Sequence, residues 1–272
     1  MRRVLAGRRV AGERGLLYKK QLQRVQAVAR MARAILVHGA GGGGWEWDLW
    51  VDAVTEAGLS DQLELVALTL EPPTGRDLEA TQLDDYIDQI VEAAGKDACS
   101  KKLILVGASM GGTLIAKAAE RLPRVDFLVF VCTTTPSLVE IATLEEAPPK
   151  YGPRVKWAGG PLQDTIDAVP DASPEVQRWA AALWRDESGA VLNEIDGGRV
   201  TCNVEILRSI PSLVVIPMKD TAIPPERQQA FASAIGANRI IFLEGASHCG
   251  PLLSCVDAKK TALDVFKWAF SK

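Results

Sequence analysis

The sequence predicts an α/β fold: a mainly parallel, doubly wound sheet with helices on both faces and a separate insertion. Two observations lead there. Short β-branched apolar runs alternate with segments of helical period over most of the 272 residues, and a long stretch, residues 136–205, interrupts that alternation. Strands are expected at 33–38, 63–68, 102–107, 126–132, 212–217 and 239–243, and helices at 46–58, 82–94, 110–121, 225–236 and 256–270. Sheets of this kind bind ligands at the carboxyl ends of their strands.

The first strand, Ala34-Ile-Leu-Val-His38, runs into Gly39-Ala-Gly-Gly-Gly-Gly44, where five of six residues are glycine. Such a loop can lay its backbone beside a substrate carbonyl and offer N–H groups without side-chain obstruction, and the N–H of Ala40 is one expected oxyanion donor. Gly39, Gly41 and Gly44 also meet the G-x-G-x-x-G spacing of a dinucleotide loop. That pattern wants an acid about 20 residues on, at the end of the second strand. Here the acid is Glu71, 27 residues after Gly44, and Trp45 and Trp47 follow the loop directly, so the oxyanion reading is preferred. His38 is read as a brace for the loop, held at the tip of a buried strand.

The third strand carries the strongest signal. Leu103-Ile-Leu-Val-Gly-Ala-Ser-Met-Gly-Gly-Thr113 places Ser109 between Gly107 and Gly111, in a sharp turn from strand to helix. The turn presents the hydroxyl at the strand end. The following helix aims its unpaired N–H groups, that of Met110 foremost, at negative charge forming beside the serine. A nucleophilic serine needs a base and an acid later in the chain, in the order serine, acid, histidine. His248 is the one histidine after Ser109, and it follows the strand Arg239-Ile-Ile-Phe-Leu243. Asp220 ends the strand within Pro211-Ser-Leu-Val-Val-Ile-Pro-Met-Lys-Asp220, ahead of the helix start Pro224-Pro-Glu-Arg. The strand Phe127–Cys132 is followed by no carboxylate until Glu140, which leaves Asp220 as the acid.

Residues 136–205 are too long for a structureless connection and are read as a cap. Trp157, Trp179 and Trp184, three of the seven tryptophans, lie in it, and Val176, Trp179, Ala180 and Leu183 share a helical face. These tryptophans, with Gly39, Gly41 and Cys249, are expected to wall a substrate pocket. Arg154, Lys156 and Arg185 could hold a second carbonyl or a carboxylate there.

Together these motifs resemble the α/β-hydrolase superfamily of serine esterases. His38-Gly-Ala-Gly-Gly-Gly-Gly-Trp-Glu-Trp47 is similar to the H-G-A-x-x-G-G-W-x-W opening of the plant methylesterase and hydroxynitrile-lyase group. The resemblance spans residue 32 to about 132 and residue 213 onward. It implies a helical cap inserted after the family's sixth strand, a catalytic triad of Ser109, Asp220 and His248, and an oxyanion hole of the Ala40 and Met110 N–H groups. Lyase members tend to carry threonine where this chain has Gly39 and lysine where it has Cys249, so the resemblance implies an esterase. The expected function is cleavage of small, largely apolar carboxylic esters through an acyl-enzyme. A C–C bond hydrolase or cofactor-free lyase on the same triad, and a slow-turnover ligand receptor, are the alternatives.

The domain plan is a basic extension over 1–31, a core of 32–135 and 206–272, and a cap of 136–205. Residues 1–30 hold nine Arg/Lys and one acid, against a chain net charge of −3. They lack the apolar run of a secretory signal and contain no serine, so a dispensable extension is expected, with an organellar transit peptide second. The five cysteines form no C-x-x-C pair and two distant histidines make no metal set, so no metal and no cofactor are expected. A small-molecule ester is the expected partner, with no nucleic acid, no membrane span, a cytoplasmic location, and a monomer or homodimer.

Overall fold

A computed structural model describes residues 32–95, 101–138 and 149–271. Its centre is a parallel sheet of six strands: β1 (Ala32–Val37), β2 (Leu63–Ala67), β3 (Lys102–Ala108), β4 (Phe127–Val131), β7 (Ser212–Pro217) and β8 (Arg239–Leu243). The spatial order is β2-β1-β3-β4-β7-β8. Chain direction across the sheet reverses between β1 and β3, so their carboxyl ends open the crevice where ligands bind in such sheets. The Gly39 loop leaves β1 there and Ser109 leaves β3. β3, β4 and β7 are buried on both faces, which accounts for their near-continuous apolar sequence.

Helices α1 (Asp48–Glu56) and α10 (Cys255–Phe270) cover one face. Trp47, Trp50, Phe266 and Trp268 fill the core beneath them, with Trp50 edge-on to Trp47 and Phe266. Helices α2 (Leu83–Gly95), α3 (Met110–Arg121) and α8 (Pro225–Ala234) cover the other face, over Ile35, Leu105, Leu114, Phe130 and Phe231. Boundaries differ from the sequence expectation for local reasons. The helix expected at 46–58 opens as a 3₁₀ turn over Gly44–Trp47, whose first N–H, that of Gly44, is satisfied by Thr69 Oγ1 at 2.9 Å. α8 stops at Ala234, ahead of Gly236 at φ +65°. A short helix α9 (Gly250–Leu253), with Pro251 in its first turn, follows His248 and escapes sequence reading because it spans only four residues.

Between β4 and β7 lies the inserted segment: strands β5 (Arg154–Val155) and β6 (Glu187–Ser188), and helices α4 (Leu162–Ala168), α5 (Pro174–Ala181), α6 (Gly189–Asp196) and α7 (Val204–Ser209). It is therefore not wholly helical, since β5 and β6 pair antiparallel. Its two ends are tied together, Ser137 N–H donating to Val200 O and Cys202 N–H to Ser137 O, both at 2.8 Å. α5 is capped at its start, where Ser173 accepts from the Val176 N–H. Residues 1–30 and their predicted extension lie outside the described residues. Among the described residues no helix is long and apolar enough to cross a membrane.

Candidate active site

Ser109 is held at φ +49°, ψ −118°, a conformation costly for a residue with a Cβ. Four hydrogen bonds hold it there. Its N–H donates to Val131 O at 3.0 Å, and its carbonyl accepts from Gly112 N–H, Thr134 N–H and Thr134 Oγ1, each at 3.0 Å. The turn is possible only without side chains at its crossings. A Cβ on Gly107 would fall within 3 Å of the Gly111 carbonyl, and one on Gly111 equally close to the carbonyls of Val37 and His38.

The hydroxyl lies 3.0 Å from Nε2 of His248, and Nδ1 of His248 lies 2.8 Å from Oδ2 of Asp220. Asp220 is fully committed. Oδ1 accepts from the N–H groups of Ala222 and Ile223 at 2.9 and 2.8 Å, and Oδ2 also accepts from Gln228 Nε2 at 2.9 Å. Because Oδ2 can only accept, Nδ1 carries the proton and Nε2 presents a lone pair to the serine. The loop before His248 is pinned from the inserted segment, where Asp171 accepts from the Ser247 N–H at 2.9 Å and from its hydroxyl.

The glycine loop is braced from three sides. His38 Nδ1 donates to Gly39 O at 2.7 Å while its Nε2 accepts from the Leu70 N–H at 2.9 Å, so the ring is neutral and structural, as expected. Burial lowers its pKa to about 4. Glu46, only 4% exposed, accepts from the Gly39 N–H at 3.0 Å, and burial pushes its pKa up to about 7 against the pull of that hydrogen bond. From the inserted segment, Glu187 accepts from the Gly41 N–H at 3.1 Å and from Tyr86 Oη at 2.7 Å, while Arg185 N–H donates to Gly41 O at 2.7 Å. The N–H groups of Ala40 and Met110 donate to no acceptor among the described residues.

His38 and Glu46 oppose each other in pH dependence. Below pH 6.5 the unfolded chain takes up a proton at His38 that the folded chain refuses until about pH 4, so that group's contribution falls as pH drops through this window. Glu46 keeps its proton in the folded state up to about pH 7 but releases it at 4.5 when unfolded, so its contribution falls as pH rises from 4.5 to 7. Each window amounts to about 3 kcal/mol, with slopes of about 1.4 kcal/mol per pH unit that cancel where they overlap. Urea unfolding between pH 4.5 and 6.5 is therefore expected to give opposite slope changes relative to the parent protein. His38→Gln should lose stability as pH rises, and Glu46→Gln should gain it; slopes of the same sign in both variants would refute the assignment.

A cavity of about 560 Å³ opens onto Ser109 and His248. Of the expected wall residues, Gly39, Trp157, Trp184 and Cys249 line it, as do Ala40 and Met110. Gly41 and Trp179 do not. Gly41 is covered by Trp157, whose ring occupies the space a Cβ would need. Trp179 is 38% exposed and packs edge-on against Trp45, because α5 turns Gln177 and Ala180 inward and Gln177 bonds Val169 O. Arg154, Lys156 and Arg185 are also absent from the wall. Arg154 pairs with Glu79 and Asp186, and Arg185 with Glu71 and Leu70 O. Lys150, Tyr151 and Asp196 stand at the wall instead, Asp196 accepting from both neighbours. Sequence reading missed Thr134, Gln228, Asp171, Glu187 and Glu46; only Glu46, an acid between two tryptophans, carried a local signal.

The profile of the Alpha/beta hydrolase family matches residues 34–259. The chain belongs to that family. It is 27% identical to salicylic acid-binding protein 2 of Nicotiana tabacum over 256 residues, covering 84% of this chain and 96% of that protein. Putative methylesterase 12, chloroplastic, of Arabidopsis thaliana is 30% identical over 116 residues, which are 42% of this chain and 33% of that protein. Probable esterase PIR7A of Oryza sativa is 34% identical over 105 residues, 38% of this chain and 39% of that protein. The chain thus spans 33% and 39% of the length of these two relatives. Among solved structures, methylesterase MES16 from Arabidopsis superposes with a TM-score of 0.70 at 17% identity, covering 88% of this chain and all of that one. Polyneuridine aldehyde esterase follows at 0.66 and 20%, covering 86% and 99%. The likeness to the methylesterase group and the α/β-hydrolase fold, both expected from the hydrolase's motifs, are borne out.

Proposed function

We propose that this hydrolase cleaves small, largely apolar carboxylic esters through a serine-bound acyl intermediate. The observation that carries the reading is the hydrogen-bonded chain from Ser109 Oγ through His248 to Asp220 at the floor of the cavity. His248 Nε2 takes the Ser109 proton as Oγ attacks the ester carbonyl. Asp220 keeps the imidazole in the required tautomer and faces the imidazolium that forms. The free N–H groups of Ala40 and Met110 receive the oxyanion, Met110 from the start of α3, where the helix dipole adds to its effect. His248 then returns the proton to the leaving alcohol, and water repeats the sequence on the acyl-enzyme. The segment 136–205 acts as the cap, supplying Trp157 and Trp184 to an apolar wall.

A C–C hydrolase would call for unpaired cationic groups facing the substrate; Arg154 and Arg185 are paired away from the cavity, and Lys150 at its wall is paired with Asp196. The test uses the purified full chain with short p-nitrophenyl esters and a fluorophosphonate probe. Hydrolysis and labelling are both expected, and both should vanish in Ser109→Ala. Labelling that persists in that variant, or a parent protein that turns over no ester, would overturn the reading.

A further inference from the structure

Resting on the esterase reading, we propose that Glu46 is a specificity-determining residue that donates a hydrogen bond to a second acceptor oxygen in the substrate. The preferred substrates are then esters carrying an ether, carbonyl or hydroxyl oxygen besides the ester group itself. Glu46 forms part of the cavity wall, beside Gly39 and Cys249. One oxygen, Oε2, accepts from the Gly39 N–H. The other, Oε1, occupies space left by the missing side chain of Gly42 and has no partner among the described residues.

No cation neutralises a carboxylate there among the described residues. No lysine, arginine or histidine pairs with Glu46 among the described residues. The titratable groups facing it are the thiols of Cys132, at the end of β4, and Cys249, ahead of α9; burial raises the pKa of both and keeps them uncharged. Asp220 acts on the same two thiols and adds only negative charge to the region. A buried carboxyl in such surroundings holds its proton, in keeping with its pKa of about 7. As the neutral acid it has one O–H to donate. Gly39 offers a donor and cannot receive that proton, so the remaining acceptor is a ligand in the cavity.

The experiment compares kcat/KM for a p-nitrophenyl alkanoate and for isosteres in which one methylene after another is replaced by an ether oxygen. Each rate is divided by that ester's rate of hydroxide hydrolysis, which removes inductive activation. Groups that act on every ester alike, His248 included, cancel in the ratio. At about pH 6 one isostere should be favoured about threefold to tenfold over the alkanoate, the worth of one neutral hydrogen bond. The preference should fade as pH passes about 7, where the carboxylate forms and faces the acceptor oxygen with like partial charge. Glu46→Leu should abolish it. Glu46→Gln keeps an acceptor for Gly39 and a donor for the ligand, so it should retain a preference that no longer changes with pH, and it serves if the leucine variant fails to fold. Ser109-dependent hydrolysis with no favoured isostere, or with a preference that survives Glu46→Leu, overturns this proposal alone. No Ser109-dependent hydrolysis of any ester overturns the esterase reading with it.

Discussion

Asp220→Asn is expected to lower kcat by about 10⁴-fold while leaving the fold intact, a magnitude known for this replacement in a serine triad. The physical reason is specific to the surroundings of Asp220. Oδ1 receives the N–H groups of Ala222 and Ile223, so the amide oxygen of an asparagine must take that place. Its NH₂ then points where Oδ2 was, toward His248 Nδ1. Facing a donor, His248 adopts the tautomer with its proton on Nε2, which cannot accept a proton from Ser109. Gln228 Nε2 loses its acceptor on residue 220 as well but keeps its bond to Ile223 O at 2.8 Å, so the larger damage falls on the imidazole. Stopped-flow or steady-state kinetics with an unchanged melting profile would check this. A loss smaller than tenfold would mean that Asp220 does not set the tautomer.

The second large effect is on stability. Gly111→Ala is expected to cost about 3 kcal/mol or more and to abolish activity, because the added methyl meets the backbone carbonyls of Val37 and His38 inside van der Waals contact. Backbone cannot swing aside as a flexible side chain can. Relief requires moving α3 away from β1, which separates the Ser109 turn from the Gly39 loop. Gly107→Ala meets the Gly111 carbonyl and should behave alike. Gly245→Ala is the control: nothing lies within 4 Å of its Cβ position, and its cost should be near zero. Denaturant midpoints for the three variants decide the matter, and a Gly111→Ala protein as stable as Gly245→Ala would refute the close-packing account.

Much of the fold was legible because its signals are local. Fully buried parallel strands must be apolar throughout, so β3, β4 and β7 stand out in the chain. Ser109, Asp220 and His248 were legible for a related reason: each lies just beyond a strand, and strands in a parallel sheet all end at one edge. The wall of the cavity was less readable. Helical spacing placed Trp179 on an inward face, yet Gln177 and Ala180 face inward because α5 packs with Gln177 on Val169 O. Arg154 and Arg185 went to Glu79 and Glu71, partners at least 75 residues away in sequence, which no local pattern records.

The division has a physical basis. Which residues are chemically able to attack, accept a proton and bend the chain is a property of residue type and of the few neighbours that set a turn, and the linear order carries both. What state those residues are held in depends on the field of distant groups. Thr134 stabilises the strained serine, Gln228 and Asp171 fix the acid and the base, and Glu187 anchors the loop. Burial above all makes His38 a weak base and Glu46 a weak acid, since water that would solvate their charged forms is excluded by packing that no stretch of sequence contains.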